Sequence, residues 1–307
     1  MPVKHPKVAV LLAAFNGIRW IEEQLASIVG QSGVDVSVYI SIDSSIDGTE
    51  VLCAAYASLH PGVVVLPPAG SFGGASRNFF RLIRDVPVEQ YDFVAFADQD
   101  DIWYADKLER AVREIRSRTV DAYSSNVIAF WPTGRTHLLD KAQRQTAWDF
   151  LFEAAGPGCT YVLSRPFAST LRNAVLTDWQ ALQQVSLHDW YCYAFARSRG
   201  FKWFIDSRPS MSYRQHERNQ VGANTGLNPL IARYKTIHDG WWFSQVRRIV
   251  HLVGLENDRF VRSWLSLGRW QMLTLSMSAW KCRRRVRDKI FFFFVCWATA
   301  VIGNKSK

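Results

Sequence analysis

The chain has 307 residues, 48% of them hydrophobic and 21% charged, with a formal net charge of +10. That is enough apolar chain for one large domain or two small ones with a real core, and it excludes a disordered chain. Five cysteines, Cys53, Cys159, Cys192, Cys282 and Cys296, are scattered, odd in number and free of any CxxC spacing. They argue against a zinc site or a disulfide framework and fit a reducing cytosol.

The run "KVAVLLAA" (7–14) does not lead into a small-residue cleavage site, so it reads as a first strand and not as a signal peptide. It is continuously apolar, as expected of a strand buried on both faces. In "IRWIEEQLASIVGQ", Ile18, Ile21, Leu25, Ile28 and Val29 recur at helical spacing. "VDVSVYISI" is the second strand, ending at Asp43, and "DGTEVLCAAYASL" a helix with Asp47 as its N-cap. "GVVVLP" is the third strand, "GGASRNFFRLIRDV" a glycine-opened helix, "YDFVAFA" the fourth strand and "YADKLERAVREI" a helix. This alternation predicts an α/β fold with a mostly parallel sheet covered on both sides, whose ligands lie beyond the carboxyl ends of the strands. Ala13, Ala14, Phe15 and Asn16, then Asp43, then Gly73, Gly74, Arg77 and Asn78, then Asp98, Asp100 and Asp101 all fall on that edge.

Past residue 131 the alternation is irregular. "GPGCTYVLSRPF" reads as a strand between turns and "LHDWYCYAFARSRG" as a helix. "FKWFID" and "PSMSYRQHE" read as strands, and "RNQVGANTGLNP" as a polar loop able to close over a ligand. We take 1–225 as one catalytic body, a nucleotide half of about 1–131 and a second half of about 132–225, followed by a helical region at 226–307.

"FVAFADQDDIW" sets three carboxylates, Asp98, Asp100 and Asp101, in four positions. Like charges so close raise one another's pKa unless a cation sits among them. Asp101 can cap the helix containing Lys107 and Leu108, but one Asp suffices for that. A hard divalent cation, Mg²⁺ or Mn²⁺, accounts for the others, since it prefers one or two carboxylates and a substrate's phosphates.

Four blocks, "VAVLLAAFNG", "ISIDSSIDGT", "GGASRNF" and "DFVAFADQDDIW", resemble the family 2 inverting glycosyltransferases, which have the GT-A fold. "ADQDDIW" and "YRQHERNQVGA" further resemble the rhamnosyltransferase-like branch that builds bacterial surface polysaccharides. The resemblance covers about residues 7–225. It implies that Ala14, Phe15, Asn16 and Asp43 hold the base and ribose of a nucleotide-sugar, with dTDP-L-rhamnose as the donor. It implies that Arg77 contacts the nucleotide, that Asp98 lies near ribose and metal, and that Asp100 and His216 ligate the metal with Arg214 near the phosphates. Asp189 in "LHDW" becomes the general base. Two departures stand out: Ile42-Asp43 keeps only one acid where relatives carry two, and Glu217-Arg218 replaces a frequent Gly-Asn. Read alone, Asp189 is a helix cap, His216 a strand-end histidine and Arg77 a solvated helix residue. The family's other nucleotide-sugars, UDP- or GDP-linked, and a non-catalytic nucleotide-sugar scaffold are the alternatives.

In the tail, 241–307, 13 Lys/Arg face 3 acids, so the whole net charge lies there and residues 1–240 balance. "KCRRRVRDK" precedes "IFFFFVCWATAVIG", 14 residues without a charge. As a helix that run spans about 21 Å, too short for a hydrocarbon core of ~30 Å. With Trp264, Leu267, Trp270, Leu273 and Met277 interleaved with Arg262 and Arg269, the tail predicts amphipathic helices on an anionic membrane surface. Core-covering helices and an oligomer contact are the competing readings, although Phe291 to Phe294 would show on every side of a helix. The resemblance implies a lipid-linked glycan acceptor and a place on the inner face of the bacterial cytoplasmic membrane. Nucleic acid is not expected as a partner, because the charge sits beside an apolar tail and not across a groove with stacking aromatics.

Overall fold

The computed structural model describes residues 4–216 and 240–302. The loop expected to close over a ligand, with Glu217-Arg218, lies outside the described residues. The first half alternates as expected: β1 (Lys7–Ala14), α1 (Ile21–Val29), β2 (Asp35–Ile42), α2 (Thr49–Leu59), β3 (Val63–Val65), α3 (Ala75–Asp85), β4 (Phe93–Asp98). After β5 (Ile102–Trp103) comes α4 (Lys107–Arg118). The second half contributes β6 (Ala122–Ser125), β7 (Val127–Phe130), β8 (Thr136–Leu139), β9 (Val162–Ser164), α5 (Arg165–Thr177), α6 (Trp179–Leu182), α7 (His188–Ser198), β10 (Trp203–Asp206) and β11 (Met211–Arg214).

The main sheet has seven strands in the order β10-β6-β9-β4-β1-β2-β3. Every pair is parallel except those of β9, which runs antiparallel to β4 and β6. β1 lies inside this sheet and is buried from Val8 to Ala14, which is why it has no polar face. Its register sets Ala14 against Ile42 and Ala13 against Asp98. The strand ends therefore lie level, and the residues that follow them share one edge. A second sheet, β5-β11-β7-β8, flanks this edge.

Three local expectations are corrected. Asp101 does not cap α4; the first-turn amide of Leu108 donates to Gln31 Oε1 at 2.9 Å. α2 begins after Gly48, whose φ of 94° suits glycine, while Asp47 accepts from the Thr49 amide at 3.1 Å. The strand in "GPGCTYVLSRPF" covers only Val162–Ser164, and Pro166 opens α5, where its fixed φ and missing N–H suit the first turn.

The C-terminal helices are α8 (Trp241–Leu252), α9 (Arg259–Arg262), α10 (Arg269–Met277), α11 (Ala279–Cys282) and α12 (Val286–Ile302). They share the core of the preceding half. The Phe152 ring lies 5.2 Å from Trp264 and 5.1 Å from Phe292. Arg284, in the middle of the basic run, is buried and pairs with Asp149 at 3.0 Å, and Asp149 also meets Arg197 at 3.2 Å. Removing one partner of such a buried pair costs about 3–5 kcal/mol. One continuous core thus crosses the boundary expected at 225.

α12 packs along α10 and buries Phe292, Val295, Cys296 and Ala300. Ile290, Phe294, Trp297 and Val301 form its exposed side. The four phenylalanines therefore divide: Phe292 is buried, Phe291 and Phe293 are half-buried, and Phe294 is exposed. No described helix is long and apolar enough to cross a membrane. All five cysteines are free and buried.

Candidate active site

A cleft of about 1330 Å³ opens over the carboxyl ends of β1, β2 and β4. That exceeds the ~300–1,000 Å³ of a site for one small ligand, so two substrates have room side by side. Phe15, Asn16, Asp43, Asp98, Asp100, Asp189 and His216 all line it, as does Ala14.

The floor is held by backbone bonds. The Asp43 carboxylate accepts from the amides of Ser44 (2.9 Å), Phe72 (2.7 Å) and Gly73 (2.9 Å), fixing the loop before α3. Gly73 takes a φ of 67° there. Asn16, at φ 46°, accepts from the Ile46 amide at 2.9 Å through its side chain, which ties the ends of β1 and β2 together. The Gln99 side chain accepts from the Phe15 amide (2.8 Å) and donates to the Phe15 carbonyl (2.9 Å). A Cβ at Gly17 would fall 2.2 Å from Gln99 Oε1. Asn78, buried behind this floor, donates to the carbonyls of Ser41 and Ala14. The Phe15 ring stands half in solvent, open to a flat ligand.

Beyond the floor lies the acidic corner. His216 Nε2 is 2.6 Å from Asp100 Oδ2, and its ring stacks on Trp20 at 4.2 Å. Asp98 is pushed up to about 7, first by burial and then by Asp100 beside it. Asp101 is fully buried and its carboxyl stands well above the usual range, from burial and then from Asp100 and Asp98. One of its oxygens accepts from the Arg214 amide, and the other has no partner among the described residues. The buried cation behind these acids is Lys107, whose Nζ donates to the Cys159 carbonyl at 2.6 Å and lies 3.5 Å from the Trp103 ring centre. Burial lowers its pKa to about 7.

Lys107 is not part of the cleft wall, so it relieves the acids from behind only. On the cleft side Asp98, Asp100 and His216 all line the wall, and Asp100 and His216 touch, so the ligand types suit Mg²⁺ or Mn²⁺ although the three are not gathered into one closed set. Among the described residues, the trio whose ligand atoms do lie within 4.8 Å of one another is Asp98, Asp101 and Cys159. It fits a hard cation less well, because Asp101 and Cys159 are buried away from the cleft and burial holds the soft thiol protonated.

The opposite wall comes from the second half and the tail. Asp189, at the start of α7, accepts from the amide of its neighbour Trp190 at 2.8 Å. Burial raises its pKa to about 6, and Lys141 is near enough to favour the charged form. His188 stacks on Phe79 at 3.9 Å, and burial pushes its pKa down to about 3, so it stays neutral. Gly158 allows this packing: a Cβ there would lie 2.9 Å from both Asp189 Cβ and His188 Nε2. Glu153, Arg283, Arg285 and Arg287 complete the wall.

Two expected residues lie outside the cleft wall. Arg77 donates to the carbonyls of Gln183 (2.8 Å) and Phe72 (3.1 Å), joining the loop before α3 to the one before α7. Arg214 donates to the Asp100 carbonyl at 2.8 Å, pairs with Glu23 and lies over the Phe130 ring. Residues missed from the sequence are Gln99, Trp20, Gly158 and the tail arginines. Only Gln99 stands within an expected motif; the others reach the site through packing.

An α/β sheet with an open cleft and an acidic corner at its strand ends is the architecture of a GT-A glycosyltransferase. Solved structures agree on the fold: S. aureus TarS 1-349 superposes with a TM-score of 0.57 at 14% identity, covering 98% of this chain and 93% of that one. The mannosyltransferase PcManGT from Pyrobaculum calidifontis, in complex with GDP-Man and Mn2+, gives 0.52 at 16%, covering 99% and 88%. The model of glycosyl transferase family 2 matches residues 9–176, and the chain belongs to that family. It is 44% identical over 285 residues to the dTDP-rhamnosyl transferase RfbG of Shigella flexneri, covering 92% of this chain and 98% of that protein. The protein is a glycosyltransferase.

Proposed function

We propose that the protein transfers L-rhamnose from dTDP-L-rhamnose, with inversion, to a lipid-linked or polysaccharide acceptor in bacterial surface-glycan synthesis. The observation that carries this reading is that the acidic corner and Asp189 face one cleft large enough for two substrates. The kinship with the Shigella dTDP-rhamnosyl transferase supports the nucleotide and the sugar.

Phe15, Asn16 and Asp43 seat the thymidine, Asp43 by shaping the loop at Phe72 and Gly73. Asp98, Asp100 and His216 would hold Mg²⁺ or Mn²⁺, which supplies charge stabilisation to the departing diphosphate. Asp189 receives the proton of the acceptor hydroxyl. The hydroxyl oxygen bonds to the anomeric carbon on the face opposite the diphosphate as the bond to the diphosphate breaks. A carboxylate titrating near 6 is ionised at neutral pH yet basic enough to accept that proton. Arg77 and Arg214 act on the donor through the loops they tie, and not by touching its phosphates. The exposed side of α12 supports docking on an anionic membrane from the cytoplasmic side.

A calorimetric screen with Mg²⁺ or Mn²⁺ tests the donor. dTDP-L-rhamnose is expected to bind more tightly than UDP-N-acetylglucosamine or GDP-mannose. A preference for a UDP- or GDP-linked sugar would overturn the rhamnosyl assignment and leave the family intact.

A further inference from the structure

The basic run of the tail is divided by the fold. Arg284 is consumed in the core by Asp149. Arg283 lies between the core and the cleft, with Glu153 at 3.6 Å and Asp288 at 3.9 Å. Arg285 and Arg287 are exposed and line the cleft on the Asp189 side. The Arg285 carbonyl accepts from the Lys289 amide, its guanidinium makes no hydrogen bond among the described residues and is near enough to Asp140 to favour that carboxylate's charged form, and Arg287 lies 3.6 Å from its neighbour Asp288. Lys141 adds a further cation beside Asp189. The carboxylates that Arg283, Arg284 and Arg287 meet are Glu153, Asp149 and Asp288, none of them in the acidic corner. The donor side is thus complete without these arginines.

Where the two arginines stand gives the ligand's shape. They flank the first residue of α12, Val286, at the positive end of the helix dipole, which Asp288 in the first turn offsets only in part. From there Ile290, Phe294, Trp297 and Val301 run along the helix's exposed side. At ~1.5 Å per residue the stripe extends about 21 Å from Arg287 to Val301. A cationic pair opening into the cleft at one end of an apolar stripe matches a molecule with an anionic group between a polar part and a long apolar chain. Guanidinium groups suit phosphate oxygens in particular, because they donate in pairs.

We infer that the acceptor side of the cleft contains a phosphate site, in which Arg285 and Arg287, backed by Lys141 and Arg283, bind the phosphate or diphosphate that joins the acceptor's glycan to its lipid. This rests on the reading of the Asp189 wall as the acceptor side. The site fixes the acceptor hydroxyl relative to Asp189 through the linker and leaves the sugar to be read separately.

The test uses the full chain saturated with dTDP and Mg²⁺, so that the donor site is filled, and titrates it with octyl diphosphate. One equivalent is expected to bind. The double variant Arg285→Gln/Arg287→Gln is expected to bind octyl diphosphate about tenfold or more weakly, from the loss of two charge-assisted contacts. Its affinity for dTDP should stay within about twofold, a control that also reports folding. Failure of dTDP itself to bind would overturn the donor reading. Binding of dTDP without octyl diphosphate, or equal octyl diphosphate affinity in the double variant, would overturn the phosphate site alone. A third arm uses phosphatidylglycerol vesicles. If the double variant loses vesicle binding but keeps octyl diphosphate binding, the arginines serve the bilayer headgroups and the assignment is wrong.

Discussion

The two sides of the cleft are built by different means. On the donor side, Asp43, Asn16 and Gln99 bond to backbone groups of neighbouring loops, so each polar side chain is fixed by an adjacent strand end of the same sheet edge. On the acceptor side, Asp189 and His188 are placed by burial, by a glycine that lets them approach, and by helices contributed from the end of the chain. The first kind of site is local and follows from topology. The second depends on contacts across more than a hundred residues, such as Arg284 with Asp149. Damage to one side should therefore leave the other measurable.

The largest separable effect is expected from Asp189→Asn. Loss of a general base typically lowers the rate ~10²–10⁴-fold. In the unaltered protein, kcat should be flat above pH 6 and fall about tenfold per unit below it, because protonation of a carboxyl titrating near 6 removes the acceptor for the proton. In Asp189→Asn that acid limb should vanish. A retained limb would assign the titration to another group.

Gly158→Ala sharpens the comparison. The added methyl would meet Asp189 Cβ and His188 Nε2 at 2.9 Å, so α7's first turn must shift. Overpacking costs ~1–3 kcal/mol, and a displacement of about 1 Å at a reacting group can cost ~10²-fold in rate. A lowered melting temperature, reduced kcat and unchanged dTDP affinity are expected. Loss of dTDP affinity in step with kcat would show that the two sides are not independent.

The smallest effect on soluble turnover is expected from Phe294→Ser/Trp297→Ser. Both side chains are exposed, whereas truncation of α12 would also remove Phe292 and Cys296 from the core. Burying each large apolar side chain in a bilayer interface is worth ~1.5–3 kcal/mol. The double variant should therefore lose flotation with anionic vesicles while keeping kcat on a soluble acceptor. Undiminished flotation would remove α12 as the docking surface.

The donor half was legible in the sequence because a parallel sheet places every strand end on one edge, so "AAFNG", Asp43 and "ADQDD" could be collected without knowing any long-range contact. The acid run pointed to a divalent cation; the buried amine behind it, Lys107, lies in the same stretch of chain but reads there only as a residue of the following helix. In the second half of the chain only Asp189, on the acceptor side, and His216, which returns to the acidic corner, were legible, each through a motif. The other components of the acceptor side escaped for physical reasons. Gly158 matters because of a helix 30 residues on, and the arginines of one short run have separate fates set by which way each points off the body. Arg77 and Arg214 look like ligands in the sequence because guanidinium groups suit phosphates, yet each is engaged by carbonyls. Nor does the run of four phenylalanines settle burial, since α12 has a packed and a bare side.

The most direct test compares the magnesium dependence of dTDP affinity in the unaltered protein, Asp100→Asn and Asp189→Asn. On the proposed metal site, Asp100→Asn removes an anionic ligand while keeping its shape, so dTDP binding should weaken and no longer respond to Mg²⁺, and turnover should collapse. Asp189→Asn should keep both the affinity, within about twofold, and the magnesium response, because the base serves the acceptor. Magnesium dependence that survives in Asp100→Asn, or is lost in Asp189→Asn, would contradict the division of the cleft into a donor side and an acceptor side.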